Sequence, residues 1–440
     1  MKLKHHNWPG IATIVLLAAI AFGSPSRSNA ATPDPVRAWN KQALDTVRLK
    51  NLSDAQAARL YAMVDVAMYD AVNGIITRQD ADKSRSPALI APTNLAKGDQ
   101  YAAASAAAHA VLSGEYPDLK ASMFDPQLAS DLAALKGGKA DGQAWGAYVG
   151  NQMRVLRAND GSTPAESQTP DLDPVGHFRA SWSGTQFRNL APFGIANSSP
   201  YVGHGPPALD SLDYAGAFAE IKLIGNQAIA DQGKLDTFRY WALGNTTSQP
   251  PGAWLQVALA VTEAHPILLP EMTRLFALVS MAMVDTVAPT YMTKYTFKHW
   301  RPTTAIREAG TDNNPLTDAE PYPNWTARAG SVGGSPEYWS GHSSFSAAAA
   351  TILAGFYCDD NVSFTLLTDT TPPNPPNQPR TYSSFSAAAT EAGHSRVVGG
   401  FHFEFSDEEG SASGRAVATE ILDNKLLLRN GQTHFGQCPR

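Results

Sequence analysis

Three short stretches of this 440-residue chain set cations, imidazoles and a hydroxyl at fixed spacings. The first is "KYTFKHWRP", Lys294 to Pro302, in which Arg301 follows Lys294 by seven residues. Seven residues are two helical turns, so the two cations can share a helix face. The second is Ser340-Gly341-His342, set between "GSVGGSP" and "SAAAATILAGF". The third is "SRVVGGFH", Ser395 to His402, with Arg396 six residues before His402. Such a set suits a compact oxyanion. Arginine forks match pairs of anionic oxygens, and lysine adds a point charge. A glycine N–H at a helix start adds a donor and the positive end of the helix dipole. One imidazole can bond to the anion's central atom, and the other can move a proton near neutral pH. Each part alone is ordinary: a Lys and an Arg two turns apart usually mark a solvated face, and a single histidine is usually structural. It is their joint order that is informative.

Helices must position these residues. Strand signals are weak, and no alternating run persists. Ser53 with Gln56 three residues on is a capping box. It opens "DAQAARLYAMVDVAMYDAVNG", for which Gly74 is a good stop. Leu60, Met63, Val64 and Ala67 fall at helical spacing, so one face is apolar. A second helix of this kind is expected over Glu271–Val287. "RLYAMVDVAMYDAV" from Arg59 and "RLFALVSMAMVDTV" from Arg274 agree at eight of fourteen positions, 215 residues apart. "SAAAHAVLSGEY" from Ser105 and "SAAAATILAGFY" from Ser346 agree at seven of twelve, 241 residues apart. Two echoes in the same order predict an all-α fold of two packed helical bundles, a half over residues 31–250 and a half over 251–440. Stretches rich in Pro, Gly and Ser at 162–174, 197–207, 311–336 and 370–379 predict long loops, the last of them exposed to solvent.

The N-terminus reads as an export signal. Lys2 and Lys4 precede the apolar run Ile11–Phe22, and Ser28-Asn29-Ala30 forms a small-x-small site before Ala31. The run is short for a membrane span, so cleavage after Ala30 and a secreted or periplasmic protein without stable membrane insertion are expected. No later segment reads as a span. Loss of Lys2, Lys4 and Arg27 with the leader takes the formal charge from −6 to −9, which argues against nucleic acid as a partner. Cys358 and Cys438 are the only cysteines, too few for a cysteine-ligated metal site; export permits a disulfide between them.

The three stretches together resemble the phosphatidic acid phosphatase type 2 and vanadium haloperoxidase superfamily, whose pattern is Lys-x6-Arg-Pro, Pro-Ser-Gly-His, then Ser-Arg-x5-His. The resemblance is closest to the exported bacterial vanadium-dependent haloperoxidases. It extends to "MVDVAMYDAVNGI", "PPALDSLDYAGAFAEIKLIG", "TFRYWAL" and "PEYWSGHSSFSAAAA", and so covers roughly residues 36–430. It implies a vanadium chloroperoxidase-like fold, a vanadate cofactor, and hydrogen peroxide and a halide as substrates; an organic acceptor, the preferred halide and the oligomeric state stay open. By motif, His402 would bind vanadium through a ring nitrogen. Lys294, Arg301 and Arg396 would neutralise the vanadate oxygens, and Ser340 and the Gly341 N–H would hydrogen-bond them. His342 would be the acid–base in peroxide cleavage, with Lys294 polarising the peroxide.

Two positions depart from the pattern. Trp339 stands where the family usually has proline, and could narrow access or reshape the loop. Ser406 stands where the family often has an aspartate four residues beyond the ligating histidine; Asp407, Glu404 or no carboxylate at all could serve His402 instead. His299 and His394 could line the site, but local hydrogen bonding is the commoner role for such residues. Tyr291 and Trp300 could wall it, although aromatics at these spacings are more often core. The same pocket suits an exported acid phosphatase of the superfamily, in which His402 would attack phosphorus and His342 would protonate the leaving alcohol. The long N-terminal half and the likeness outside the pocket favour the peroxidase. A non-catalytic oxyanion binder is a third class, against which the complete set of site positions speaks.

Overall fold

The computed structural model describes residues 34–169 and 175–428. The expected leader and Cys438 therefore lie outside the described residues.

Helices carry the fold. The first group is α1 (Pro35–Lys50), α2 (Asp54–Gln79), α3 (Gln100–Glu115), α4 (Asp125–Ala133) and α5 (Lys139–Arg157). A middle group is α6 (Leu212–Ile224), α7 (Gln232–Tyr240) and α8 (Gln249–Ala264). The last group is α9 (Leu269–Asp285), α10 (Val287–Phe297), α11 (Pro302–Arg307), α12 (Gly341–Tyr357), α13 (Phe385–Val398) and α14 (Glu404–Asn424). Two small antiparallel pairs interrupt them: β1 (Ser167–Gln168) with β2 (Trp182–Ser183), and β3 (Phe364–Leu366) with β4 (Arg380–Tyr382). The 370–379 loop joining the second pair is largely exposed, as its proline-rich composition predicts.

The Ser53 capping box forms as expected, and α2 starts at Asp54. It does not stop at Gly74, however, but runs on to Gln79. A Cβ on Gly74 would lie 2.7 Å from the Trp145 ring, whose Nε1 donates to Ala71 O at 2.8 Å. This glycine therefore serves close helix packing rather than termination. The second long helix ends at Asp285, and α10 follows almost directly. Together they are long and apolar enough to cross a membrane, contrary to the sequence reading, but 89% of the apolar window is buried within the protein, as in a core helix.

The internal echo is structural. α2 packs on α9, and there Ser280 Oγ donates to Asp65 Oδ2 at 2.5 Å, linking two positions 215 residues apart. α3 packs on α2 and α5 as α12 packs on α9 and α14. Asp99 caps α3 by accepting from Ala102 N, and Ser340, 241 residues on, caps α12 by accepting from Ser343 N. A Cβ on Gly142 or Gly146 of α5 would meet the carbonyls of Asp99 and Ala103 at 2.3 and 2.1 Å. Gly410 and Gly414 of α14 stand in the same way against Ser340 and Ser344, at 2.6 and 2.3 Å. Both halves thus use small residues to bring a helix backbone against the first turns of its neighbour.

Candidate active site

Lys294, Arg301, Gly341, His342, Arg396 and His402 line one cavity of about 160 Å³. They arrive from five different helix ends and turns. Lys294 lies in the last turn of α10, and Arg301 is the residue preceding α11. Gly341 and His342 open α12, Arg396 lies in the last turn of α13, and His402 sits in the short turn before α14. Ser340 does not line the cavity. It is fully buried, and its Oγ accepts from Ser343 N and Ser343 Oγ at 3.3 and 2.7 Å, so the hydroxyl serves as the α12 cap.

Lys294 and Arg301 are held by main-chain oxygens. Lys294 Nζ donates to Pro336 O and Glu337 O at 2.5 and 3.1 Å. Arg301 Nε donates to Ser335 O at 2.8 Å, and its Nη1 donates to Phe401 O at 2.7 Å and lies 3.1 Å from His402 Nε2. Arg396 lies over the Phe401 and Phe238 rings, 4.7 and 5.3 Å from their centroids. Its Nε and Nη1 are buried and take no hydrogen bond. Burial pushes the Arg301 guanidinium down to about 10, against Glu337, which raises it; burial and then the charge of Arg301 push Arg396 down to about 9. Burial and then Arg301 push Lys294 well below its ordinary range, against Glu337 and Asp54, which raise it. Three buried cations, one with unsatisfied donors, form a site that an oxyanion would complete.

His402 receives a carboxylate from a position that sequence reading missed. Its Nδ1 lies 3.0 Å from Oε1 of Glu337, which is 0% exposed. The same oxygen accepts from Phe403 N at 3.0 Å, and Oε2 accepts from Ser406 Oγ at 2.8 Å. Ser406 thus holds the carboxylate that in turn holds the histidine. Glu404 and Asp407 do not serve His402: Glu404 pairs with His394 at 3.4 Å, and Asp407 presses against Gly393. The one available signal was an acid in the otherwise uncharged run "GSVGGSPEYWSGH". With the proton on Nδ1 and directed to Glu337, Nε2 keeps its lone pair and faces Arg301. Burial, then Arg301, Lys294 and Arg396, keep this imidazole neutral by holding its pKa well below the ordinary value. Burial raises Glu337 to about 7, against the pull of Arg301, Ser406 and Lys294. Glu337→Gln keeps the shape and removes the charge. We expect it to weaken oxyanion binding by about 10- to 100-fold, measured calorimetrically on vanadium-free protein.

The other uncertain residues resolve by packing. Trp339 does not itself line the cavity; it is buried behind the wall, its Nε1 donating to Thr290 Oγ1 at 2.9 Å. His299 and Trp300 are buried outside the cavity, His299 against Tyr214, Phe403 and Phe405. Tyr291 does wall it, with Val287, Thr290, Phe345 and Phe401. Asp54, from the start of α2, also lines it and was not anticipated.

Residues 274–431 match the family model described as the VCPO second helical-bundle domain. This segment, well under half of the chain, is similar to that domain of the vanadium haloperoxidases. The match spans every motif residue of the cavity. The fold agrees over most of the chain with that of the crystal structure of a bacterial vanadium-dependent iodoperoxidase: TM-score 0.73, 22% identity, 90% of this chain and 97% of that one. A holo-type bacterial vanadium-dependent chloroperoxidase has TM-score 0.61 and 15% identity, over 89% of this chain and 95% of that one. At these identities the likeness is one of fold. A comparison with curated protein sequences gives no match. The vanadium haloperoxidase fold agrees with the all-α expectation and carries the cavity at one end of α12.

Proposed function

We propose that the chain is an exported vanadium-dependent haloperoxidase that oxidises a halide with hydrogen peroxide. The observation that carries this reading is the His402 Nε2 lone pair, presented by Glu337 to a buried cradle of Lys294, Arg301 and Arg396. The residues fit vanadate: Arg396 has two unsatisfied donor atoms, Gly341 opens a helix with its N–H free of a side chain, and His402 turns to the cavity an Nε2 whose one neighbour, Arg301 Nη1, could pass to an anionic oxygen. Vanadate held there would supply Lewis acidity that activates hydrogen peroxide for attack by halide. His402 would ligate it, the three cations would balance its charge, and Lys294 would keep one N–H for the peroxide. His342 would take and return the proton. Phe401, Phe345 and Val287 line the cavity and would limit the water around the reacting atoms. A disulfide at Cys358 is in keeping with an oxidising compartment, and so with export.

The phosphatase reading has one observation in its favour. Glu337, held by Ser406, would orient a nucleophilic His402 as well as a ligating one. The deciding experiment mixes purified protein with orthovanadate, hydrogen peroxide and bromide, and follows bromination of a phenolic dye. In parallel it follows p-nitrophenyl phosphate hydrolysis without vanadate. Vanadate-dependent bromination without phosphate release is expected, with chloride and iodide compared next. Phosphate release that vanadate inhibits, with no bromination, would replace this reading.

A further inference from the structure

Asp54 puts an acid into an anion site. It is the first residue of α2, and it lines the same cavity as the cradle. The hydrogen bonds it accepts from other residues, from Ala55 N at 2.7 Å and Tyr291 Oη at 3.4 Å, both fall on Oδ1. Oδ2 is left to the cavity. A Cβ placed on Gly341 would lie 3.7 Å from Oδ2, so this oxygen sits beside the mouth of α12, where an oxyanion would take the Gly341 N–H. The charged and titratable groups around it are Lys294 and Tyr291 from α10 and His342 from α12, with Arg301, Arg396 and His402 lining the rest of the cavity. Lys294 is the cation that acts on Asp54, and it is already shared with the main-chain oxygens of Pro336 and Glu337.

Two bare anionic oxygens at contact distance repel each other; with one proton between them they form a strong hydrogen bond. Vanadate and phosphate retain a hydroxyl near neutral pH and bring that proton themselves. Sulfate and molybdate have none to bring. We propose that Asp54 makes the cavity selective for oxyanions that carry a hydroxyl, accepting that hydroxyl's hydrogen at Oδ2. The proposal rests on the oxyanion-site part of the function above and not on halide oxidation. Asp54 would thereby admit the vanadate that haloperoxidase activity requires while excluding the commoner sulfate. Tyr291 acts as a positioning residue that fixes Oδ1 and so aims Oδ2.

The test is calorimetric titration of vanadium-free protein near neutral pH with inorganic phosphate and with sulfate. Wild-type protein is expected to bind phosphate at least about tenfold more tightly than sulfate, the least that an unrelieved contact between buried anionic oxygens costs. Asp54→Asn should narrow the gap to within about threefold, mainly by gaining sulfate affinity. Equal affinities in wild-type protein would overturn the proposal, and this comparison does not depend on the variant folding. An unchanged gap in a folded Asp54→Asn protein would overturn it too. The measurement needs no turnover, so the two readings can fail separately. A gap without halogenation removes only the haloperoxidase, and vanadate-dependent halogenation without a gap removes only the role of Asp54.

Discussion

Replacing His342 by alanine should lower halogenation turnover by about 100- to 10,000-fold while leaving oxyanion affinity within about threefold. His342 lines the cavity but is not held by the cradle; its Nε2 lies 3.2 Å from Ala242 O, to which it can only donate. That bond puts the proton on Nε2. Burial, and next the charge of Arg396, holds the imidazole well below its ordinary pKa, so it is neutral and able to take a proton. An oxyanion beside Arg396 offsets the repulsion, which raises the basicity of His342 when a proton has to move. The variant should therefore separate binding from chemistry. Turnover is read by dye bromination and affinity by titration with orthovanadate. A protein that merely binds oxyanions would have no turnover to lose. Loss of affinity in step with turnover would make His342 part of the cradle instead.

The second large effect is on stability and lies outside the cavity. Asp285 closes α9, and its carboxylate accepts from Phe193 N and Gly194 N at 2.6 Å and from Ile195 N at 2.8 Å. Asp70, 215 residues earlier, does the same in α2 for Ala88, Leu89 and Ile90, at 2.7, 2.9 and 2.8 Å. Each aspartate pins an irregular chain segment to a central helix by satisfying three successive amides. Burial raises both to about 6, against those same bonds, which lower them. Asp285→Ala leaves three N–H groups buried without a partner, and a loss of about 3–5 kcal/mol is expected. Asp70→Ala should cost less, because Ala88, Leu89 and Ile90 are only half-buried and water can reach their amides. The asparagine variants should recover only part, since an amide NH₂ must then face an N–H. Denaturant unfolding measures the four variants. An effect below about 1 kcal/mol for either alanine variant would mean that water replaces the carboxylate.

Among the described residues, only the later of the two echoing helix sets carries a cavity of this kind. At the positions of Ser340, Gly341 and His342, the first half carries Asp99, Gln100 and Tyr101. Asp99 keeps the helix cap, because any short acceptor side chain can cap. The glycine and the imidazole are absent, and so is the ligand chemistry. The earlier half instead contributes Asp54 to the site of the later one.

What the sequence determined by itself was local or carried by pattern. The capping box at Ser53 needs only residues three apart. The helical echoes need only the spacing of apolar side chains. The cations and imidazoles stand in three short stretches whose internal spacing already marks an oxyanion site. Only the tertiary structure could decide which groups complete that site. Glu337 meets His402 across 65 residues, and Tyr291 meets Asp54 across 237. Both contacts depend on where helix ends come to rest after α2 packs on α9 and α12 on α14. No local spacing encodes them. The same holds for Gly74, which is a helix stop by local chemistry and a packing notch once Trp145 lies against it. Ser340 is a ligand donor by motif and a helix cap by contact, because a single hydroxyl next to Ser343 is drawn into the nearest unsatisfied amide.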